Sequence, residues 1–156
     1  MAKLAKFLQG VAGAGGGAGL NVEEVFSTYL YDGTGASHTI TNDIDLSNEG
    51  GLVWIKRRSA SNYHALYDTE RGVQKYLSTN LTDQEYSSGV QGLNTFNNNG
   101  FIIGTDNSVN NSSSTYASWT FRKAPKFFDV VTYTGNSTAG RTVSHNLGTT
   151  VGSIII

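Results

Sequence analysis

The carboxylates of Asp68 and Glu70 lie two residues apart and next to Arg71, in the sequence Tyr-Asp-Thr-Glu-Arg-Gly. Two carboxyl groups could hydrolyse a glycosidic bond, one acting as acid and the other as base or nucleophile. The favoured interpretation is a turn in which the guanidinium group anchors a carboxylate through charge-assisted hydrogen bonds. The sequence therefore predicts a protein that is not an enzyme, with a polysaccharide depolymerase as the less favoured alternative.

Oxygen-bearing side chains are concentrated in a second stretch, at Asn42, Asp43, Asp45 and Asn48. Such side chains are the ligands that Ca²⁺ prefers, but their spacing is not that of an EF-hand loop. The three histidines have no partner at the spacing of zinc ligands. The chain has no cysteine, which excludes disulfides, thiolate metal sites and thiol catalysis. We expect no catalytic residue, no cofactor and no metal site.

Several aromatic side chains could stack on the face of a sugar ring, namely Tyr63, Tyr67, Tyr76, Tyr86 and Trp119. In a chain rich in strands, most such side chains are expected in the core or in cross-strand pairs. A lectin-like carbohydrate-binding module therefore remains an alternative to a purely structural role.

The composition restricts the partners that this protein can have. A length of 156 residues accommodates one ordinary domain and a tail. The net charge of −1 provides no field to attract nucleic acid or an anionic membrane. No apolar run approaches the roughly 20 residues that a transmembrane helix needs. We expect neither a nucleic-acid partner nor a membrane span.

Short strands must position these side chains, because β-rich segments alternate with turn-forming Asn, Asp and Gly clusters. No amphipathic helix intervenes, so the pattern predicts an all-β antiparallel β-sandwich or jelly roll. The polar tract 107–114 is interpreted as a turn, and the cationic run Lys56–Arg58 as a solvated sheet edge. Eight candidate strands cover residues 26–31, 38–41, 51–56, 63–67, 75–78, 93–96, 100–103 and 115–121.

The N-terminal segment 1–20 is predicted to be an anchor peptide followed by a Gly-rich tether. Leu4, Phe7, Leu8 and Val11 follow an i, i+3, i+4, i+7 pattern, which places them on one face of a helix. A lone helix of about ten residues is marginal in water, so this one requires a surface to bind. These four residues are the predicted partner-binding residues, and the Gly-rich stretch that follows is a flexible linker.

The chain also contains an internal repeat. Three blocks match in order: FSTYLYDG at 26–33 with FDVVTYTG at 128–135, Thr39–Thr41 with Thr142–Ser144, and Gly51–Ile55 with Gly152–Ile156. We therefore predict a β-sandwich module over residues 21–125 and the start of a second, truncated copy over residues 126–156. Since a few strands cannot close a sandwich, we expect the natural chain to continue past Ile156. The alternative is that these last strands complete the sheet of the first unit or of a neighbouring molecule.

Several motifs in combination resemble a module that recurs in tail and fibre-like virion structural proteins of tailed bacteriophages, notably marine ones. They are GGLVWIKRR (50–58), YDTERG (67–72), YLSTN (76–80), FNNNGFIIGT (96–105), TYASWTFRKAPKFFDVVTYTG (115–135) and HNLG (145–148). The resemblance implies a concanavalin-like, jelly-roll sandwich that often occurs in tandem. It also implies a structural role in the virion, with the N-terminus on the tail and the later modules facing the host.

The expected function is therefore that of a non-enzymatic phage virion structural protein, a tail fibre or a tail adaptor. It would dock to the tail through its N-terminus and present β-sandwich modules for host attachment. The expected partners are other phage tail proteins, such as an adaptor, nozzle or tube ring, further copies of the chain, and a host surface glycan. The expected location is the virion tail, after synthesis in the host cytoplasm.

Overall fold

The computed structural model describes residues 19–155 of the chain. Most of the predicted tether and the whole anchoring helix lie outside the described residues. The same holds for the four predicted partner-binding residues, Leu4, Phe7, Leu8 and Val11. Their docking role stays a prediction from the sequence.

Within the described part of the chain, strands dominate and helices are single turns. The eight predicted strands are confirmed, with small differences at their ends, and a ninth, β6, was not predicted. The strands are β1 (Phe26–Asp32), β2 (His38–Thr41), β3 (Gly51–Arg57), β4 (His64–Asp68), β5 (Lys75–Leu77), β6 (Tyr86–Ser87), β7 (Leu93–Asn97), β8 (Gly100–Ile103) and β9 (Thr115–Arg122). The helical turns are α1 (Val22–Val25), a 3₁₀ turn (Gly89–Gln91) and α2 (Asn107–Asn110).

The strands form two antiparallel sheets, which confirms the all-β prediction. A six-stranded sheet has the order β1-β9-β3-β4-β5-β6, and a three-stranded sheet has the order β2-β8-β7. β3 pairs with β9 on one side and with β4 on the other. The interpretation of Lys56–Arg58 as a sheet edge is therefore wrong, since the first two of these cations belong to an interior strand.

One hydrophobic core joins the two sheets. On β3, Val53 and Ile55 are fully buried, whereas Leu52 and Trp54 are partly exposed on the opposite face, as the two-residue side-chain period of a strand requires. The core includes buried side chains from β1, β3, β4 and β9 of the larger sheet and from β2, β7 and β8 of the smaller one. This shared core is what a sandwich requires.

The polar tract 107–114 was predicted as a turn, but its first four residues form α2. The carboxylate of Asp106 caps this helix by accepting the backbone N–H of Ser108 at 2.7 Å. Asn110 is fully buried, and its side-chain amide forms hydrogen bonds with backbone groups that have no backbone partner. It donates to the carbonyl of Gly104 at 2.7 Å and accepts the backbone N–H of Thr34 at 2.7 Å.

The chain enters and leaves the six-stranded sheet at one corner. β1 and β9 are antiparallel neighbours, and the first residue of β1, Phe26, is paired with Phe121 near the end of β9. Of the described residues after β9, none belongs to a helix or a strand, and Ala124 and Phe128 form an isolated bridge. The domain boundary at residue 126 stays a prediction.

Candidate functional site

A row of stacked tyrosines crosses three neighbouring strands on the inner face of the six-stranded sheet. The antiparallel register pairs Tyr67 with Tyr76 and Tyr76 with Tyr86. The ring centroids are 5.2 Å apart in both pairs, and the rings of Tyr76 and Tyr86 lie at 20° to each other. Register alone therefore aligns the three rings, because directly paired residues point to the same face.

The unequal width of the two sheets exposes the outer part of this row. Tyr67 on β4 is fully buried in the core, whereas Tyr76 on β5 is only partly buried against it. The buried core has no member on β5 or β6, so the smaller sheet covers the larger one only as far as β4. Tyr76 and Tyr86 consequently lie on a shelf beyond the core.

Tyr63 completes what we call the tyrosine shelf, defined as Tyr63, Tyr76 and Tyr86. Its side chain is 52% exposed and lies close enough to Tyr76 and Tyr86 to act electrostatically on both hydroxyls. Two carboxylates adjoin the shelf: Asp83 accepts a hydrogen bond from the hydroxyl of Tyr86, and Asp106 contributes negative charge near Tyr76. The shelf therefore combines aromatic faces with hydrogen-bond acceptors.

The environment keeps the hydroxyls of Tyr76 and Tyr86 protonated over the whole physiological range. The hydrogen bond to Asp83 raises the pKa of Tyr86 to about 12. Partial burial, followed by the charge of Asp106, raises the pKa of Tyr76. Both phenols are therefore neutral. The Tyr76 hydroxyl can donate a hydrogen bond to a ligand, whereas the Tyr86 hydroxyl donates to Asp83 and can accept one.

This arrangement has the features of a surface for polar ligands that also have an apolar face. Aromatic rings present broad apolar area at low entropic cost, and their hydroxyl groups supply polar contacts. Pyranose rings combine an apolar C–H face with a rim of hydroxyl groups. The tyrosine shelf can therefore stack a sugar while Asp83 and Asp106 accept hydrogen bonds from its hydroxyls.

The structure separates the two carboxylates that could have formed a hydrolytic pair. Asp68 is buried, forms an ion pair with Arg71 and accepts the Arg71 backbone N–H at 2.8 Å. Glu70 binds a different cation, Lys123, at 2.6 Å. Glu70 lines an open cavity of about 550 Å³ in which Asp68 takes no part. The predicted Arg-anchored turn is confirmed, and the two carboxylates are held by different cations.

The oxygen-rich stretch is used to build turns and to satisfy buried groups. Asn42 is buried and donates to the hydroxyl of Thr120 at 2.8 Å. Asp45 accepts the backbone and side-chain N–H groups of Asn48 at 3.0 and 2.8 Å. These hydrogen bonds, the side-chain bond first, lower the pKa of Asp45. Among residues 19–155, no group of three or more His, Asp or Glu side chains is placed to hold a metal ion.

Both tryptophans lie on the outer face of the six-stranded sheet, away from the shelf. The register pairs Trp54 with Trp119, and their rings make an edge contact at 5.7 Å. Of the aromatic residues predicted to be available for sugar stacking, Tyr63, Tyr76 and Tyr86 are therefore brought together. Trp119 lies on the opposite face, and Tyr67 is buried.

Comparison with known proteins places the chain in one family. Residues 22–156 match the family described as "Domain of unknown function (DUF7483)". Comparisons with curated proteins and with solved structures gave no match. No helix in the described range is long and apolar enough to span a lipid bilayer. Since the match covers most of the sequence, the chain belongs to the DUF7483 family.

Proposed function

We propose that the protein is a non-enzymatic structural protein of a phage virion, a tail fibre or tail adaptor. Its N-terminus docks to another tail protein, and its β-sandwich modules face the host. The resemblance of the strand motifs to those of phage tail proteins supports this assignment. The location is the virion tail, reached after synthesis in the host cytoplasm.

The observation that carries the host-facing role is the exposed tyrosine shelf. Three aromatic side chains and two adjacent carboxylates suit a host surface glycan. Sugar-binding surfaces need a few fixed polar groups beside apolar area, and the β5–β6 register fixes Tyr76 and Tyr86 on one face.

The finer fold assignment belongs to the same proposal. Two antiparallel sheets of six and three strands around one core are compatible with a concanavalin-like jelly roll. In such an arrangement the wider sheet leaves part of its inner face free. That free part is where the tyrosine shelf lies.

The N-terminal segment supplies the attachment to the tail. Burial of Leu4, Phe7, Leu8 and Val11 in a groove of an adaptor, nozzle or tube ring contributes about 1.5–3 kcal/mol per large side chain. In a homo-oligomer, several such anchors act together and raise the avidity without a new type of contact.

Deletion of residues 1–20 tests the structural role. The truncated protein should keep the strand signature in circular dichroism and should be absent from purified virions, because only the anchor is removed. A matched variant with Leu4, Phe7, Leu8 and Val11 replaced by serine in the full chain should give the same result. Normal incorporation of either variant would contradict the proposal.

A lectin-like carbohydrate-binding module is the second candidate function, and the tyrosine shelf favours it specifically. A glycan array probed with the oligomeric protein, in the presence of calcium, should give hits that Tyr86→Ala weakens by about tenfold, equivalent to roughly 1.4 kcal/mol. Tyr29→Ala is the matched control, since Tyr29 is an exposed tyrosine on β1, the opposite edge strand of the same sheet. An array without hits would count against this function.

A further inference from the structure

Core positions of the first module are exposed at the corresponding positions of the repeat. Tyr31 and Ile40 are 8% and 1% exposed, whereas their counterparts Tyr133 and Val143 are 57% and 38% exposed. The third pair differs more strongly: Val53 is fully buried, and its counterpart Ile154 is 69% exposed. The second segment therefore carries core side chains that have no core around them among the described residues.

The second segment nevertheless reproduces the local geometry of the first. In the first module, the Thr34 hydroxyl accepts the backbone N–H of Ala36 at 3.2 Å. In the second, the side-chain oxygen of Asn136 accepts the backbone N–H of Thr138, also at 3.2 Å. These residues are equivalent in the repeat, so the same turn follows both aromatic segments.

A backbone angle in that turn and a contact across the segment repeat as well. The residue after the turn's side-chain acceptor has positive φ in both copies, 66° at Gly35 and 56° at Ser137. Tyr31 contacts the ring of His38 at 5.7 Å, and in the second segment Arg141 lies over the ring of Tyr133 at 5.7 Å. The two halves of the second segment thus face each other as β1 and β2 do.

A cavity of about 620 Å³ lies between these halves, bordered by residues 131–134 and 141–144. In the first module, the corresponding segments are β1 and β2, one in each sheet, and the core fills the space between them. The backbone of β1 is paired along its whole length with β9, which is also paired with β3. In the first module, β9 is therefore the strand that pairs with both β1 and β3 and completes the sheet.

We infer that residues 128–155 form an acceptor surface for one antiparallel β-strand with the side-chain pattern of β9, contributed by another module of the same kind. The strand pairs with residues 128–134 as β9 pairs with β1, and with residues 152–155 as β9 pairs with β3. Its inward side chains then cover Tyr133 and Ile154. Strand addition of this kind gains affinity from main-chain hydrogen bonds and specificity from alternate side chains.

A peptide with the sequence of Thr115–Arg122, TYASWTFR, is the probe. Added to the full chain, it should slow amide hydrogen exchange at residues 128–134 and 152–155 by about tenfold, because ladder hydrogen bonds protect the amides. A peptide with its aromatic positions shifted by one residue should not, since that shift turns the aromatic side chains to the other face.

Two variants of the chain distinguish peptide binding at this surface from unspecific binding. Tyr133→Asp should abolish the protection, because it places a charge at a core position. Thr132→Asp should retain it, since the counterpart of Thr132 is Leu30, which is 58% exposed on the outer face of the first module. Equal loss with both variants, or equal protection by both peptides, would overturn the inference.

A fusion of the peptide to the chain makes the test independent of the affinity of the free peptide. The peptide is attached after Ile156 through a Gly-Ser linker, which provides an effective concentration in the mM range. Protection at residues 128–134 and 152–155 supports the inference. No protection there in the fusion, or protection only at the sheet edges β1 and β6, overturns it.

Discussion

Trp54 donates a hydrogen bond from Nε1 to Nδ1 of His64 at 2.9 Å, between neighbouring strands on the outer face of the six-stranded sheet. Nδ1 can accept this bond only when it carries no proton. Burial first, and then the charge of Lys56, lowers the pKa of His64. The outer face therefore contains a hydrogen bond that depends on a neutral imidazole.

The first prediction concerns stability in mild acid. Because the folded state lowers the pKa of His64, the unfolded chain binds a proton first as the pH falls below about 6.5. The stability that His64 contributes is present above that pH and decreases between it and the lower pKa of the folded state. Denaturant unfolding at several pH values should show a smaller loss in His64→Gln, which keeps an acceptor but does not titrate.

Lys56→Met provides the matched control for this effect. It removes one of the two causes, so the pKa of His64, followed by NMR, should rise towards its ordinary value. A pH dependence that is identical in wild type and His64→Gln would contradict the assignment.

The second prediction concerns Tyr116, whose ring is fully buried and stacks on Tyr31 at 5.2 Å. Its hydroxyl accepts the backbone N–H of Asn111 at 2.8 Å and donates to the carbonyl of Asn107 at 2.9 Å. Tyr116→Phe should lower the free energy of unfolding by about 1–3 kcal/mol, because two partly buried backbone groups lose their partner. Tyr29→Phe, at an exposed position, should change the free energy by much less, and equal losses in urea unfolding would contradict this account.

The third prediction concerns the ionisation of Tyr86. Asp83→Ala removes both the hydrogen-bond acceptor and the negative charge that hold the pKa of Tyr86 at about 12. The pKa should fall towards the ordinary tyrosine value of about 10. NMR of ¹³C-labelled tyrosine across an alkaline titration measures this directly. Glu85→Gln, two residues further on, is the matched control, and a Tyr86 pKa that stays unchanged in Asp83→Ala would be evidence against the contact.

The fourth prediction concerns the close approach of β3 and β9 at Gly51. A Cβ atom added there would lie 2.1 Å from the carbonyl oxygen of Phe121. Gly51→Ala should therefore separate the two strands locally and destabilise the fold by about 1–3 kcal/mol. Gly135→Ala meets no atom within 4 Å and serves as the control. Equal melting temperatures for the two variants would show that the strands can adjust without cost.

Most strands were predictable because each is a β-rich segment bounded by turn-forming Asn, Asp or Gly residues. β6 was missed because Tyr86–Ser87 is too short to form such a segment, and only its pairing with β5 makes it a strand. The interior position of β3 could not be predicted from the sequence either, since the order of strands within a sheet depends on long-range pairing. Cationic side chains at the end of a strand are compatible with both an edge strand and an interior strand of a sheet.

The tyrosine shelf could be predicted only in part. The sequence identified Tyr63, Tyr76 and Tyr86 as aromatic side chains that could stack on sugars. It did not distinguish them from Tyr67 and Trp119, because that distinction depends on two features of the assembled sandwich. One is the β4–β5–β6 register, and the other is that the smaller sheet covers the larger only as far as β4.

The shared corner at which the chain enters β1 and leaves β9 determines how the module responds to mechanical load. A tension applied between Leu20 and Lys123 acts across the end of the Phe26–Phe121 pair, along the direction of the interstrand hydrogen bonds. The bonds between β1 and β9 are then loaded one after another, as in a zipper, and do not share the force. Stretching the protein between these two points would peel the edge strand away at low force while the rest of the sandwich stays intact.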